Sequence, residues 1–182
     1  MKKGILKLIL GITVISSLLS GCGSDKDTSA AAKNVAAEPA KKEELTFVNY
    51  RDIRDLNPHL YAGEMYAQEM LYETLVNITE KGYEPCLAES WTISEDVKPY
   101  TFNIRKGVTF SDGTVCDAKA IKANFDAIIE NKSRHTWLEM MQLLESVDLI
   151  DDYTLQIKMS KPYYPMLTEL GVTRPFAMIS PN

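Results

Sequence analysis

The first 22 residues decide how much of this chain is left to fold. Lys2 and Lys3 make a basic start, Leu8 to Leu19 is an apolar run, and Leu19-Ser20-Gly21-Cys22 closes it with small residues. That order is the pattern of a secretory signal. The run is shorter than the roughly 20 residues a membrane-spanning helix needs, so we read residues 1–21 as a leader and not as a membrane anchor. Gly23 to Glu44 is mostly Ala, Lys, Ser, Asp and Glu, with no large apolar residue beyond Val35. Such a stretch cannot bury enough surface to offset the entropy of ordering, and we read residues 22–44 as a flexible tether reaching on the order of 25 Å. The fold therefore rests on residues 45–182, which suffice for one modest core.

The small residues lead directly into Cys22, which resembles the lipobox of bacterial lipoproteins, in which the residue after the cut is a lipid-modified cysteine. That resemblance implies lipidation at Cys22. It places the mature chain at the outer face of the cytoplasmic membrane, or in the periplasm, held by several acyl chains. Two such signals anchor stably where one is marginal. Loss of the leader takes Lys2, Lys3 and Lys7 with it and moves the formal charge from −5 to −8. An acidic chain argues against nucleic acid as a partner, because phosphate binding needs a basic patch. Cys86 and Cys116 remain after Cys22, in no metal-type Cys-x-x-Cys spacing. Export permits a disulfide between them; we favour two free thiols.

Leu45 to Tyr50 alternates and predicts a strand, Leu56 to Tyr61 a turn marked by Asn57-Pro58, and Met65 to Val76 a helix with Leu71, Tyr72 and Leu75 as its stripe. Tyr100 to Ile104 alternates cleanly, and Val108 to Phe110 runs into a turn at Ser111-Asp112-Gly113-Thr114. Asp117 is a good N-cap for a helix to about Asn131, with Ile121, Phe125 and Ile128 on one face. Val147 to Ile150 and Thr154 to Met159 read as a hairpin turning at Asp151-Asp152. Pro162 is expected to open a last helix ending near Leu170, with Gly171 as its cap. Mixed strands and helices give an α/β or α+β class.

Ser133-Arg134-His135-Thr136-Trp137-Leu138-Glu139 has the spacing of a capping box, with Thr136 and Glu139 satisfying free N–H groups and Trp137 at the first helical position. A guanidinium, an indole face and a positive helix end would then lie together, a wall suited to an anionic, partly flat ligand. The same residues would equally serve as a surface Arg and a core Trp beside an ordinary turn.

Leu87-Ala88-Glu89-Ser90-Trp91-Thr92-Ile93-Ser94-Glu95-Asp96, continued by Tyr100-Thr101-Phe102-Asn103-Ile104-Arg105-Lys106-Gly107-Val108-Thr109-Phe110-Ser111-Asp112-Gly113, resembles the signature of the peptide- and nickel-type substrate-binding lipoproteins of ABC importers. The likeness covers residues 45–182. Within that family it is strongest to the nickel-binding branch, through Leu56-Asn57-Pro58-His59-Leu60-Tyr61, the Arg134 to Glu139 stretch, Tyr163-Tyr164-Pro165 with Glu169-Leu170, and Arg174-Pro175-Phe176. Val97 departs from the pattern, standing where a Gly would favour an Asp-Gly turn, and Cys86 and Cys116 are not pattern residues.

The resemblance implies a class II periplasmic-binding-protein-like α/β fold, here incomplete: the first part of lobe I with its extra subdomain. We expect the polypeptide to be part of something longer. It further implies a monomeric receptor that closes two lobes on ligand and presents it to the permease and ATPase subunits of an importer. In nickel-type members the metal arrives as a complex with a small carboxylate-bearing chelator, a metallophore, gripped by arginines and packed against aromatic and Met side chains. One histidine from the later half can ligate the metal. By position, Arg134, Trp137, Arg174 and Met65 match that cleft, with Tyr61 as a neighbour. Arginine suits the task because its planar fork meets a carboxylate bidentately and keeps its charge. Charged hydrogen bonds of this kind contribute about 1.5–3 kcal/mol each. Trp137 and Met65 would pack the carbon skeleton.

No resident cofactor or metal site is expected, nickel being cargo. His59 and His135 are far apart in sequence and make no metal spacing. No Gly-x-Ser-x-Gly elbow is present and neither Cys lies in a nucleophile context, so an enzyme is not expected. Two other readings stand beside the nickel receptor. One is an oligopeptide-binding lipoprotein of the same fold, and the other is a truncated product that cannot enclose a ligand.

Overall fold

The computed structural model describes residues 46–49 and 51–182. The leader, Cys22 and the tether lie outside the described residues. Residues Val48–Asn182 form one compact unit. Its elements are α1 (Met65–Leu71), β1 (Val76–Thr79), β2 (Gly82–Pro85), β3 (Ala88–Ile93), β4 (Pro99–Ile104), α2 (Ala118–Glu130), α3 (Glu139–Leu143), β5 (Leu144–Asp151), β6 (Thr154–Met159), α4 (Met166–Leu170) and a single kinked turn, α5 (Thr173–Phe176). Short 3-10 turns occupy Pro58–Leu60 and Lys132–Arg134.

A four-stranded antiparallel sheet in the order β3-β4-β6-β5 carries the core. Alternation works here as expected. Tyr100, Phe102 and Ile104 of β4, with Leu155, Ile157 and Met159 of β6, point inward and are 0–1% exposed. The other face is polar and solvated, as an antiparallel sheet permits. There Asn103 donates to Ser90 (2.9 Å) and Gln156 to Thr101 (3.1 Å) across neighbouring strands. Helix α2 lies on the inner face. Its N-cap is Asp117, whose carboxylate accepts from the Ala120 N–H at 2.8 Å, and Ile121, Phe125 and Ile128 are fully buried. Each such side chain contributes about 1.5–3 kcal/mol through burial. The β5–β6 hairpin turns where Asp151 accepts from the Tyr153 N–H at 2.8 Å.

Several expectations are corrected. Residues 46–49 carry no strand, since alternation alone does not supply a neighbouring strand to pair with. Helix α1 stops at Leu71 instead of Val76, and an unforeseen hairpin, β1–β2, begins at Val76. The backbone of residues 73–75 is extended because other chain segments take it. Met178 donates to the Glu73 carbonyl (2.8 Å), Leu87 to that of Thr74 (3.2 Å) and Ala88 to that of Leu75 (2.9 Å). The helix expected to open at Pro162 is α4, which starts at Met166, after Pro165. Gly171 follows it with φ −83°, so it is no left-handed cap. It is small for want of room, since a Cβ there would stand 2.5 Å from Ile78 Cγ1. Val97 adopts φ +54° in the β3–β4 turn despite its branched side chain. Packing of that side chain against the core offsets the strain.

Candidate ligand-binding wall

Three segments distant in sequence build the site. The first is residues 55–64. Asn57 accepts from the His59 N–H (2.9 Å) and its own N–H donates to Asp55 (2.8 Å), which sets the Pro58–Leu60 turn. Tyr61 leaves that turn at φ +51°, with its ring half exposed. Gly63 follows at φ +77°, and a Cβ there would lie 1.7 Å from the Asp55 carbonyl oxygen. Only glycine fits, so the segment doubles back on itself. Glu64 closes it, its buried carboxylate held by Arg51 (2.7 Å) and Arg54 (3.0 Å). Burial opposes ionisation of that carboxyl, yet the Arg54 hydrogen bonds and both guanidinium charges keep it below the usual range.

The second segment is residues 131–138. The expected capping box does not form: α3 begins only at Glu139, and its preceding residue, Leu138, makes no side-chain cap. The first turn of α3 is served instead by Glu169, whose carboxylate accepts from the Met140 N–H at 3.2 Å. Trp137 therefore lies in an irregular turn before the helix, 51% exposed, and Arg134 is exposed beside it. Between them His135 is fully buried.

Arg174 in α5 is the third contribution. It is only 8% exposed. Its Nη2 donates to the carbonyls of Ala62 (3.0 Å) and Gly63 (2.8 Å) and more weakly to Gln68 Oε1 (3.4 Å). Its guanidinium carbon stands 5.3 Å from the centre of the Tyr61 ring. Arg134 reaches the Leu60 carbonyl at 3.4 Å, and His135 Nε2 donates to that of His59 at 2.7 Å. Cationic groups and an imidazole thus gather the carbonyls of residues 59, 60, 62 and 63.

Tyr61 is the hub. Its ring meets His135 edge-on and Trp137 at a tilt, each with 6.1 Å between ring centres. The structure therefore brings together Arg134, Trp137, Arg174 and Tyr61. Met65 opens α1 directly after this loop, partly exposed, and among the described residues no ring contact or hydrogen bond ties it to the other four. The sequence did not reveal that Arg174 spends one end of its fork on the loop, nor which backbone carbonyls His59 and His135 would bind. Gly63 was the available signal, marking a close approach of backbone. Neither histidine joins a metal cluster: among the described residues no three His, Cys, Asp or Glu side chains converge. Cys86 and Cys116 are free and buried, as favoured from sequence.

Two guanidiniums and two flat rings thus gather on the loops of a mixed helix-and-sheet fold, a candidate ligand-binding face. The model of bacterial extracellular solute-binding proteins, family 5 (middle region), matches residues 82–180, and the chain belongs to that family. It is 41% identical over 154 residues to the nickel-binding periplasmic protein of Escherichia coli, covering 84% of this chain and 29% of that one. Among solved structures it is similar to NikA from Brucella suis in complex with Fe(III)-EDTA, with TM-score 0.67, 47% identity, and coverage of 69% of this chain and 26% of that one. It is also similar to the periplasmic binding protein DppA from Helicobacter pylori in complex with peptide STSA, with TM-score 0.60, 26% identity, and coverage of 71% and 29%. The chain thus spans under a third of the length of these relatives. The expected periplasmic-binding-protein-like fold holds for that part.

Proposed function

We propose that this chain belongs to the substrate-capturing component of an ABC importer, and that its ligand is nickel complexed with a small organic chelator bearing carboxylates. The observation that carries this reading is that Arg174 stands over Tyr61, whose ring meets Trp137, while Arg134 binds the carbonyl of the neighbouring Leu60. Two guanidinium groups can hold two carboxylates of one chelate, while the rings cover its carbon skeleton. Likeness to a nickel-binding protein and to a NikA bound to Fe(III)-EDTA supports the same ligand class. Met65 borders the site and Cys22 carries the lipid, so the body hangs from the outer face of the membrane on residues 22–44. The receptor acts as a monomer, performs no catalysis, and passes its cargo to permease and ATPase partners. A second lobe, supplied by further chain, closes over the wall.

The test is calorimetry on the full-length protein with Fe(III)-EDTA and with nickel–histidine, set against a dipeptide pool. The proposal expects the chelates to bind and Arg134→Ala or Arg174→Ala to weaken them. Unchanged affinity in both variants counts against these residues. Preference for dipeptides favours the oligopeptide reading, to which the likeness to a peptide-bound DppA lends support. Intact mass of the membrane-extracted protein tests the anchor. A mass near the 20.5 kDa of this chain leaves half a cleft and removes the transport claim.

A further inference from the structure

Two buried histidines splice the three segments of the wall. His59 Nε2 lies 3.3 Å from the Ala177 carbonyl, three residues beyond Arg174, and His135 Nε2 lies 2.7 Å from the His59 carbonyl. A carbonyl only accepts, so in both rings Nε2 carries the hydrogen, and the neutral ring keeps a bare lone pair on Nδ1. In His135 that Nδ1 is buried and has no partner. The groups acting on this ring are the guanidiniums of Arg134, on its own turn, and Arg174, from α5, with the His59 carbonyl accepting from Nε2. No carboxylate faces it among the described residues. Tyr61 covers its edge, and His59 is the second imidazole in reach. A proton on Nδ1 would place a third positive charge beside two others, on a ring atom that solvent does not reach. The free wall therefore keeps His135 neutral.

We propose that His135 is a proton-linked specificity residue: docking of an anionic ligand across Arg134 and Arg174 supplies the missing counter-charge, and His135 takes up a proton with it. This rests on the chelate reading above. The consequence is selection by charge. A chelate with net negative charge, such as the singly charged Fe(III)-EDTA, gains from the third cation, and a neutral zwitterion such as a dipeptide does not. Burial and the two guanidiniums hold the free ring below its ordinary value, and a bound anion moves it back up. Affinity for an anion then rises as pH falls through the interval between the two values, by tenfold for each pKa unit that separates them.

The experiment is calorimetry of the full-length protein with Fe(III)-EDTA near pH 6, in two buffers of different ionisation enthalpy, which reads protons taken up on binding. The wild type is expected to take up a substantial fraction of one proton and to bind several-fold more tightly at pH 5.5 than at pH 7.5. His135→Gln keeps a donor for the His59 carbonyl and cannot titrate. It is expected to bind with no uptake and a flat pH profile. Binding by the wild type without uptake, or uptake unchanged in the variant, overturns this inference and leaves the chelate reading standing. Absence of chelate binding by the wild type at every pH overturns both. If H135Q does not fold, NMR titration of the His135 ring in the wild type, with and without diamagnetic Ga(III)-EDTA, decides the matter. An unshifted titration overturns the inference.

Discussion

Arg174 stands over the face of Tyr61 at 5.3 Å while its Nη2 donates to the two carbonyls that follow that ring, Ala62 and Gly63. Nη2 is a fixture of the loop, while Nε is buried without a partner. Lysine keeps the charge but not the fork. Arg174→Lys in the full-length protein is expected to weaken Fe(III)-EDTA binding by about tenfold or more, the loss of one charged hydrogen bond. Tyr61→Phe, which keeps the ring, is expected to stay within about threefold of wild type. Calorimetry of the two variants side by side separates fork from ring.

Glu169, not Thr136, serves the start of α3, and it also accepts from the Tyr163 hydroxyl. Glu169→Ala leaves the Met140 N–H and a buried tyrosine without their acceptor. Its expected cost is about 1–3 kcal/mol. Thr136→Ala removes an exposed side chain with no capping bond and is expected to stay within about 0.5 kcal/mol. Urea unfolding of both variants checks the contrast.

His59 and His135 are both held below the ordinary histidine value, first by burial. The unfolded chain binds more protons than the folded one between the depressed values and about 6.5. Ligand-free stability is thus complete above about pH 6.5 and declines as pH falls through that interval. The depressed carboxyls of Glu64, Asp96, Asp112 and Asp151 act lower, below about pH 4. Thermal unfolding from pH 7.5 to 5.5 is expected to show a falling Tm, with a shallower slope in His59→Gln and His135→Gln.

Burial pushes the Cys116 thiol up to about 11, and that of Cys86 is raised as well. Thiolate is the reactive form. Neither side chain is expected to react with iodoacetamide in the folded protein at pH 8, and both are expected to react in denaturant. Mass spectrometry of the two digests reads this directly.

Sequence made plain whatever local chemistry decides. Asp117 with Ile121, Phe125 and Ile128 specifies a capped, one-faced helix, and strict alternation specifies β4 and β6. It failed where a remote segment overrides a local preference. The backbone of residues 73–75 follows a helical stripe in sequence but is claimed by Leu87, Ala88 and Met178. Thr136 has the spacing of a cap, yet the Glu169 carboxylate, 29 residues beyond Met140, takes the post. The site divides the same way. Residue types matched to a family motif picked out Arg134, Trp137, Arg174 and Tyr61. The hydrogen bonds that orient them depend on backbone carbonyls, which no sequence pattern displays.

The bond between His59 and Ala177 spans 118 residues. Contacts of such separation close late in folding, after local hairpins such as β5–β6, because the chain between them must first be ordered. The chain therefore acquires that hairpin before its wall. Until Ala177 is docked, Tyr61 lacks Arg174 above its ring. Order around that one ring thus reports that two distant stretches of the compact unit have met.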